Sequence, residues 1–402
     1  MNRWLDERRQ MSLDPTVTML NTGSFGPTPT PVFEACLALR RRLAPGPTDF
    51  FLRQVPPLLW ASRERTAAFL GSVPQRFVFA TNVSLAINMI ADGIELAAPG
   101  ELLISDHEYG AMIWTWERAA QRLGLTIRTF PVPKFPQDAG EVIDAAKAAM
   151  TPRTRLFFFS HIVASTGTIL PAKELCAEAR KRGILSVVDG AHAPALLDLN
   201  IGDIGADFYA GNLHKWLLAP IGAGFMTYGP GMEDRLPPLW VSWGYRPDSA
   251  YMPNAAAIHP DARDQYGSTP RTRALEFVGT MDVCPWLSVP EAIDFHAALG
   301  WTAIRAKHQE LAEFARTKFA ELLGWTLATP PGPTWSGPMT AFEVPAGIDP
   351  FRLRERLWER RIEIAMNVRP DRALLRVSHH WYTTEDEIER LVLALKEVSN
   401  SD

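Results

Sequence analysis

Lys215 is the residue with the most chemistry to offer. It lies in the stretch DFYAGNLHKWLLAPIGAGFMTY, Asp207 to Tyr228, flanked by His214 and Trp216. An amine held among apolar and aromatic neighbours loses hydration, which lowers its pKa and leaves a fraction neutral and nucleophilic. Such a lysine can form a Schiff base with a carbonyl compound. Upstream, Asp189 ends the β-branched run ILSVVD and is followed by Gly190 and His192. A carboxylate in that position either caps a helix or pairs with a protonated ring nitrogen. Further upstream, FVFA (77–80) runs into the helix-like TNVSLAINMIADGI, which starts near Asn82 or Ser84. The unpaired N–H groups and the dipole of a helix start make an anion site there.

The elements that must carry these residues follow from hydrophobic patterning. Strand candidates at 101–105, 126–130, 155–160 and 184–189 alternate with helical stretches such as Ala172 to Arg182. That alternation predicts a mostly parallel sheet covered by helices, with ligands collecting at the carboxyl ends of its strands. Asp189 and His161 fall there. Val32 to Arg42 and Leu58 to Leu70 read as helices, interrupted by the proline-containing APGPTDFFLRQVPP, which carries Phe50, Phe51 and Arg53. The loop LNTGSFG (20–26) can approach a ligand closely through Gly23 and Gly26. Between Tyr228 and about Pro270 the pattern is irregular and rich in Pro and Trp. A long helix from Trp301, strand-like AFEV, IEIAM and ALLRVS, and a last helix from Thr384 predict a smaller α+β unit. The organisation expected is an arm over 1–20, a large domain over 21–285 and a small C-terminal domain over 286–402.

With 402 residues, 47% of them hydrophobic, the chain can bury a core of that size. Its net charge of −4 gives no reason to expect nucleic acid or an anionic membrane as partner. Cys36, Cys176 and Cys284 fit no paired metal spacing and point to a reducing compartment. The N-terminal segment is too charged for a signal peptide, and no apolar run is long enough to span a membrane. A cytoplasmic protein acting on small molecules, without a metal, is the expectation. Lysine, strand-end carboxylate and anion turn are then the three parts that a site for pyridoxal phosphate needs, since a protonated pyridine makes that cofactor an electron sink.

DGAHAP (190–194 with Asp189), DFYAGNLHKWLLAP, GAGF, LNTGSFG, SDHEYGA and EFVGTMD together resemble the class V aminotransferase group of fold type I pyridoxal phosphate enzymes, and within it the isopenicillin N epimerase-like branch. The resemblance runs from Leu20 to about Arg376. It implies the fold type I architecture: an α/β large domain on a mostly parallel sheet of the seven-stranded type, with a smaller α+β domain. It implies Lys215 as the cofactor lysine, Asp189 as the partner of the pyridine nitrogen and His192 near the 3-hydroxyl. Asn82, Val83 and Ser84, helped by Asn212 and His214, would take the phosphate, and Thr280 would reach it from a neighbouring subunit, so a homodimer with shared active sites is implied. Tyr109 or, second, His107 would stack on the cofactor face away from Lys215. Arg376 would bind the α-carboxylate of an amino-acid substrate, with Asn21 and Arg53 as further substrate contacts. The reaction implied is an epimerisation or racemisation at Cα. A C–S or C–C lyase and an aminotransferase of the same group stay open as alternatives, as does a non-catalytic regulator that only binds the cofactor. Thr22 and Ile221 depart from the group's pattern near the pocket. No cysteine follows Cys284, which argues against desulfurase chemistry.

Overall fold

A computed structural model describes residues 3–245, 259–369 and 371–399. The main sheet has seven strands: β1 (Phe77–Ala80), β2 (Gly100–Ser105), β3 (Leu125–Phe130), β4 (Thr154–Ser160), β5 (Leu185–Gly190), β6 (Phe208–Asn212) and β7 (Gly224–Tyr228). Their order is β1-β7-β6-β5-β4-β2-β3, and only β7 runs antiparallel to its neighbours. Nearly every residue of β1, β2, β4, β5, β6 and β7 is buried, as expected of strands covered on both faces. Alternate side chains feed two cores. Phe77, Phe79, Phe157, Phe159, Val188 and Tyr209 pack on one side, and Val78, Leu156, Phe158, Val187, Phe208 and Met226 on the other.

The helix Val83–Gly93 shows how sequence places an element. Val83, Ala86, Ile87, Ile90 and Ala91 recur at helical spacing and are buried, and the Asn82 side chain accepts from the Leu85 amide at 2.9 Å to cap the start. The proline-rich interruption expected over 44–57 is instead helical. Pro47 opens a single turn, Phe50–Gln54 forms a wide π turn, and Val55–Phe69 continues as an α-helix. Prolines at the first positions of a helical segment forfeit no hydrogen bond, and Pro56 and Pro57, which cannot donate, widen the ladder without ending it. Of the irregular stretch expected after Tyr228, residues 246–258 lie outside the described residues.

A second sheet, β8 (Met339–Glu343), β9 (Ala365–Val368) and β10 (Ala373–Ser378), is antiparallel in the order β9-β10-β8 and has its own core around Leu311, Phe342, Leu357, Leu375 and Leu395. The start of the chain is built onto it. Thr18 and Met19 pair in parallel with Ile362 and Glu363, and the Ser378 amide donates to Leu20 O at 2.8 Å. Arg8 grips Glu387 in a two-pronged pair at 2.7 and 2.8 Å. The loop 21–26 then crosses to the main sheet, where the Gly26 amide donates to His214 O at 3.1 Å. A Cβ on Gly26 would stand 2.1 Å from Lys215 O, so only glycine permits this approach.

Candidate active site

Strand ends, loop 21–26 and the small sheet enclose a cavity of about 510 Å³. β5 delivers Asp189, β6 delivers Asn212 and leads into His214 and Lys215, the turn after β1 presents Thr81 to Ser84, and β10 contributes Arg376. Parallel pairing sets Ser160 beside Asp189 and Asp189 beside Ala210, which brings the polar ends of three strands to one rim.

The Lys215 side chain opens onto the cavity yet is crowded by protein. Desolvation, then the nearby Arg376 cation, push its pKa down from 10.5 to about 8, against the pull of Asp189. Its Nζ lies 3.4 Å from His192 Nε2. Trp216 Nε1–H donates to His192 Nδ1 at 3.2 Å, so in a neutral imidazole the proton sits on Nε2 and faces the amine. Burial, with the Lys215 and Arg376 charges, holds the His192 pKa well below its usual value, which keeps the ring neutral. An N–H aimed at Lys215 favours the amine form, because only that form has a lone pair to accept it. Behind Trp216, His380 stacks on the indole at 5.9 Å and 15°, and its Nε2 meets Trp216 O at 3.1 Å.

Asp189 is buried. Desolvation raises its pKa, while the Ala191 amide, donating to Oδ1 at 2.8 Å, and Lys215 pull it down. A carboxylate this poorly served by protein donors, on a cavity wall, calls for a cationic partner from a ligand. Asn82 and Asn212 use their side-chain oxygens on the helix itself, accepting from Leu85 and Val83 amides, each at 2.9 Å. They build the anion turn, and the Ser84 and Thr81 side chains line it. His214 Nδ1 is engaged by Ala223 O at 3.0 Å. Arg376 is 4% exposed; burial lowers its pKa to about 10. It donates to Ala164 O and, at 3.3 Å each, to Asn21 Oδ1 and Ser24 Oγ, while its Nε has no hydrogen-bond partner among the described residues.

Of the residues expected from sequence, Lys215, Asp189, His192, Tyr109, Asn82, Val83, Ser84, Asn212, His214, Arg376 and Asn21 line this one cavity. His107 does not. Its ring is held between Asp106 Oδ1 at 2.6 Å and Arg372 Nη2 at 2.8 Å. Arg53 sits on the π turn in an exposed pair with Asp49, and Thr280 lines a separate apolar cavity with Phe51, Leu52 and Trp286, so neither reaches the site of its own chain. Sequence reasoning missed Glu108. It is buried beside the site, accepting from the Ser105 hydroxyl, from Ser160 N at 3.0 Å and from Ser160 Oγ at 2.6 Å, and burial raises its pKa to about 7. A glutamate in a charged heptamer such as SDHEYGA carries no signal of burial.

A lysine of lowered pKa, a buried carboxylate short of a partner and a capped helix start around one cavity fit pyridoxal phosphate: Lys215 would hold its carbonyl carbon, Asp189 its ring nitrogen, and the turn at Thr81–Ser84 its phosphate. Fold and site thus define a fold type I pyridoxal phosphate enzyme, and the chain belongs to the Aminotransferase class-V family, which it matches over residues 53–391. Within that family it is 53% identical over 393 residues to isopenicillin N epimerase of Streptomyces clavuligerus, covering 98% of this chain and 97% of that one. Identity to isopenicillin N epimerase of Amycolatopsis lactamdurans is 52% over 400 residues, covering 98% of each chain. Among solved structures, a mutant of C-DES with glycine covalently linked to its PLP cofactor shares the fold at a TM-score of 0.83 and 24% identity, over 97% of this chain and 99% of that one.

Proposed function

We propose that this enzyme inverts the configuration at Cα of isopenicillin N or a closely related amino-acid derivative. The observation that carries the reading is Lys215 Nζ, held next to a neutral His192, in a cavity that Tyr109 also lines. Bound pyridoxal phosphate supplies a conjugated system that accepts the electron pair left at Cα when its proton departs. Lys215 removes that proton. With a pKa of about 8, roughly a tenth of the amine is neutral at pH 7. His192 Nε2–H orients the lone pair, and Asp189 keeps the pyridine nitrogen protonated. Arg376, steadied by Asn21 and Ser24, grips the α-carboxylate through the fork a guanidinium offers. Tyr109 returns a proton from the face opposite Lys215, which sets the stereochemical outcome.

The same reading makes the enzyme a cytoplasmic homodimer in which Thr280 serves the partner's site. It is supported by the three buried free cysteines and by the apolar cavity around Thr280. The division at 20 and 285 belongs to this proposal too. The separate core of the small sheet supports it, and the helix Val289–Leu299 that follows the division packs on the large core. A lyase reading draws on the 28% identity to putative L-cysteine desulfhydrase 1 of rice, far below that to the epimerases. The test is isopenicillin N in heavy water. Inverted product with deuterium at Cα is expected, and Tyr109→Phe should keep exchange with retention while losing most inversion. Release of sulfide or a keto acid without inversion would refute the proposal.

A further inference from the structure

A second guanidinium lines the cavity. Arg354, on the helix Pro350–Glu359, faces the same space as Lys215 and Arg376 but at its open side, where its side chain is 55% exposed. Its ion-pair partner Glu363 is 3.8 Å away, too far for a hydrogen bond. Glu363 Oε1 is already the acceptor of Asn21 Nδ2 at 2.9 Å, and Asn21 Oδ1 in turn accepts from Arg376 at 3.3 Å. Arg376, Asn21 and Glu363 are therefore hydrogen-bonded in a row, and Arg354 stands 3.8 Å beyond its end, at the exposed side of the site. Arg376 is spent on the carboxylate next to Cα, and nothing in that role uses Arg354.

The lining between and around them is of a different kind. Phe25, Ile221 and Met366 present apolar surface to the cavity, and Phe25 and Ile221 are 65% and 67% exposed there. Among the described residues three cations, Lys215, Arg354 and Arg376, stand against one lining carboxylate, Asp189. An amino acid with a neutral side chain would leave Arg354 idle and those side chains in water.

We propose that Arg354 is a specificity-determining residue that binds the distal carboxylate of the substrate, the one not attached to Cα. This rests on the reading of the site as an amino-acid epimerase. The Arg354 fork closes on the distal carboxylate in place of the distant Glu363, and the substrate's apolar part covers Phe25, Ile221 and Met366. Glu363 acts as a weak competitor for the Arg354 charge before substrate arrives.

The experiment compares isopenicillin N with its derivative in which the distal carboxylate is a primary amide, using the holoenzyme and the variants Arg354→Gln, Arg354→Lys and Glu363→Gln. For the wild type, the acid should have a KM about tenfold below that of the amide, the gain expected of a charge-assisted pair in a partly wet site. Arg354→Gln should raise KM for the acid to the amide's value with kcat little changed, Arg354→Lys should restore part of the preference, and Glu363→Gln should lower KM for the acid. Equal KM for acid and amide in the wild type, or an equal loss for both in Arg354→Gln, overturns the proposal. If neither compound turns over, the epimerase reading fails on its own. Calorimetric titration of isopenicillin N into the same proteins then still decides the role of Arg354, since unweakened binding in Arg354→Gln overturns it.

Discussion

Replacing Lys215 by Met should make the cofactor-free protein more stable, by an amount that depends on pH. The lysine is an ordinary amine in the unfolded chain and is pushed to about 8 in the folded one. A folded pKa below the unfolded value means the folded state disfavours the proton. The penalty is therefore complete below pH 8, shrinks as pH rises from 8 to 10.5, and is gone above. A drop from 10.5 to about 8 corresponds to roughly 3 kcal/mol at 1.36 kcal/mol per pKa unit, an upper bound because the amine still opens onto the cavity. Methionine fills similar volume without the charge. At about 2.1 cal/mol/K of unfolding entropy per residue, 3 kcal/mol raises the Tm of a chain this long by about 4 °C. Calorimetric scans of the cofactor-free wild type and variant at pH 7 and pH 10 give the measurement. A gain near pH 7 that fades toward pH 10 is the expected result. A gain that ignores pH, or a loss at pH 7, would show that the Lys215 amine is not held in a desolvated state, and the account of its reactivity would fall with it.

Glu108 gives the opposite sign. Its folded pKa of about 7 lies above the ordinary glutamate value of 4.5, so it contributes stability below pH 4.5 that is lost as pH rises through 7. Glu108→Gln should flatten the wild type's decline in unfolding free energy between pH 4.5 and 7 in urea titrations, and an unchanged slope would contradict it. Arg63 is wholly buried and pairs with Glu276 at 2.7 and 2.9 Å, while also holding Phe77 O and Ser268 Oγ; Glu276 in turn accepts from Phe79 N. Arg63→Met strands that carboxylate beside β1 and should cost about 3–5 kcal/mol in denaturant unfolding, and less than 1 kcal/mol would refute the importance of the network.

The strands were legible because period and composition agree: FVFA, LFFFS and LSVVDG are continuous apolar runs, and Asp189 breaks the pattern where a rim must be. Lys215 was legible because the loop around it is too apolar to be surface. What stayed hidden depends on contacts distant in sequence. Trp216 looks like a core residue, and its indole N–H matters only because His192 arrives from another strand to accept it. Asn21 and Glu363, far apart in the chain, meet because two-residue strands pair Thr18–Met19 with Ile362–Glu363 in a sheet of their own. The prolines at 47, 56 and 57 misled because their meaning is positional, harmless in a first turn and disruptive elsewhere.

The arm has a further consequence, which concerns time. Thr18 and Met19 find their strand partners only at Ile362 and Glu363, and Arg8 finds Glu387, so these contacts join segments more than 340 residues apart. Gly26 lies against the Lys215 backbone at the end of the loop that this register anchors. Contacts between such distant segments form late, because the entropy of closing the loop must be met before they reward it. The surroundings of the amine thus depend on contacts that span most of the sequence, so a change far from Lys215 along the chain can reach it.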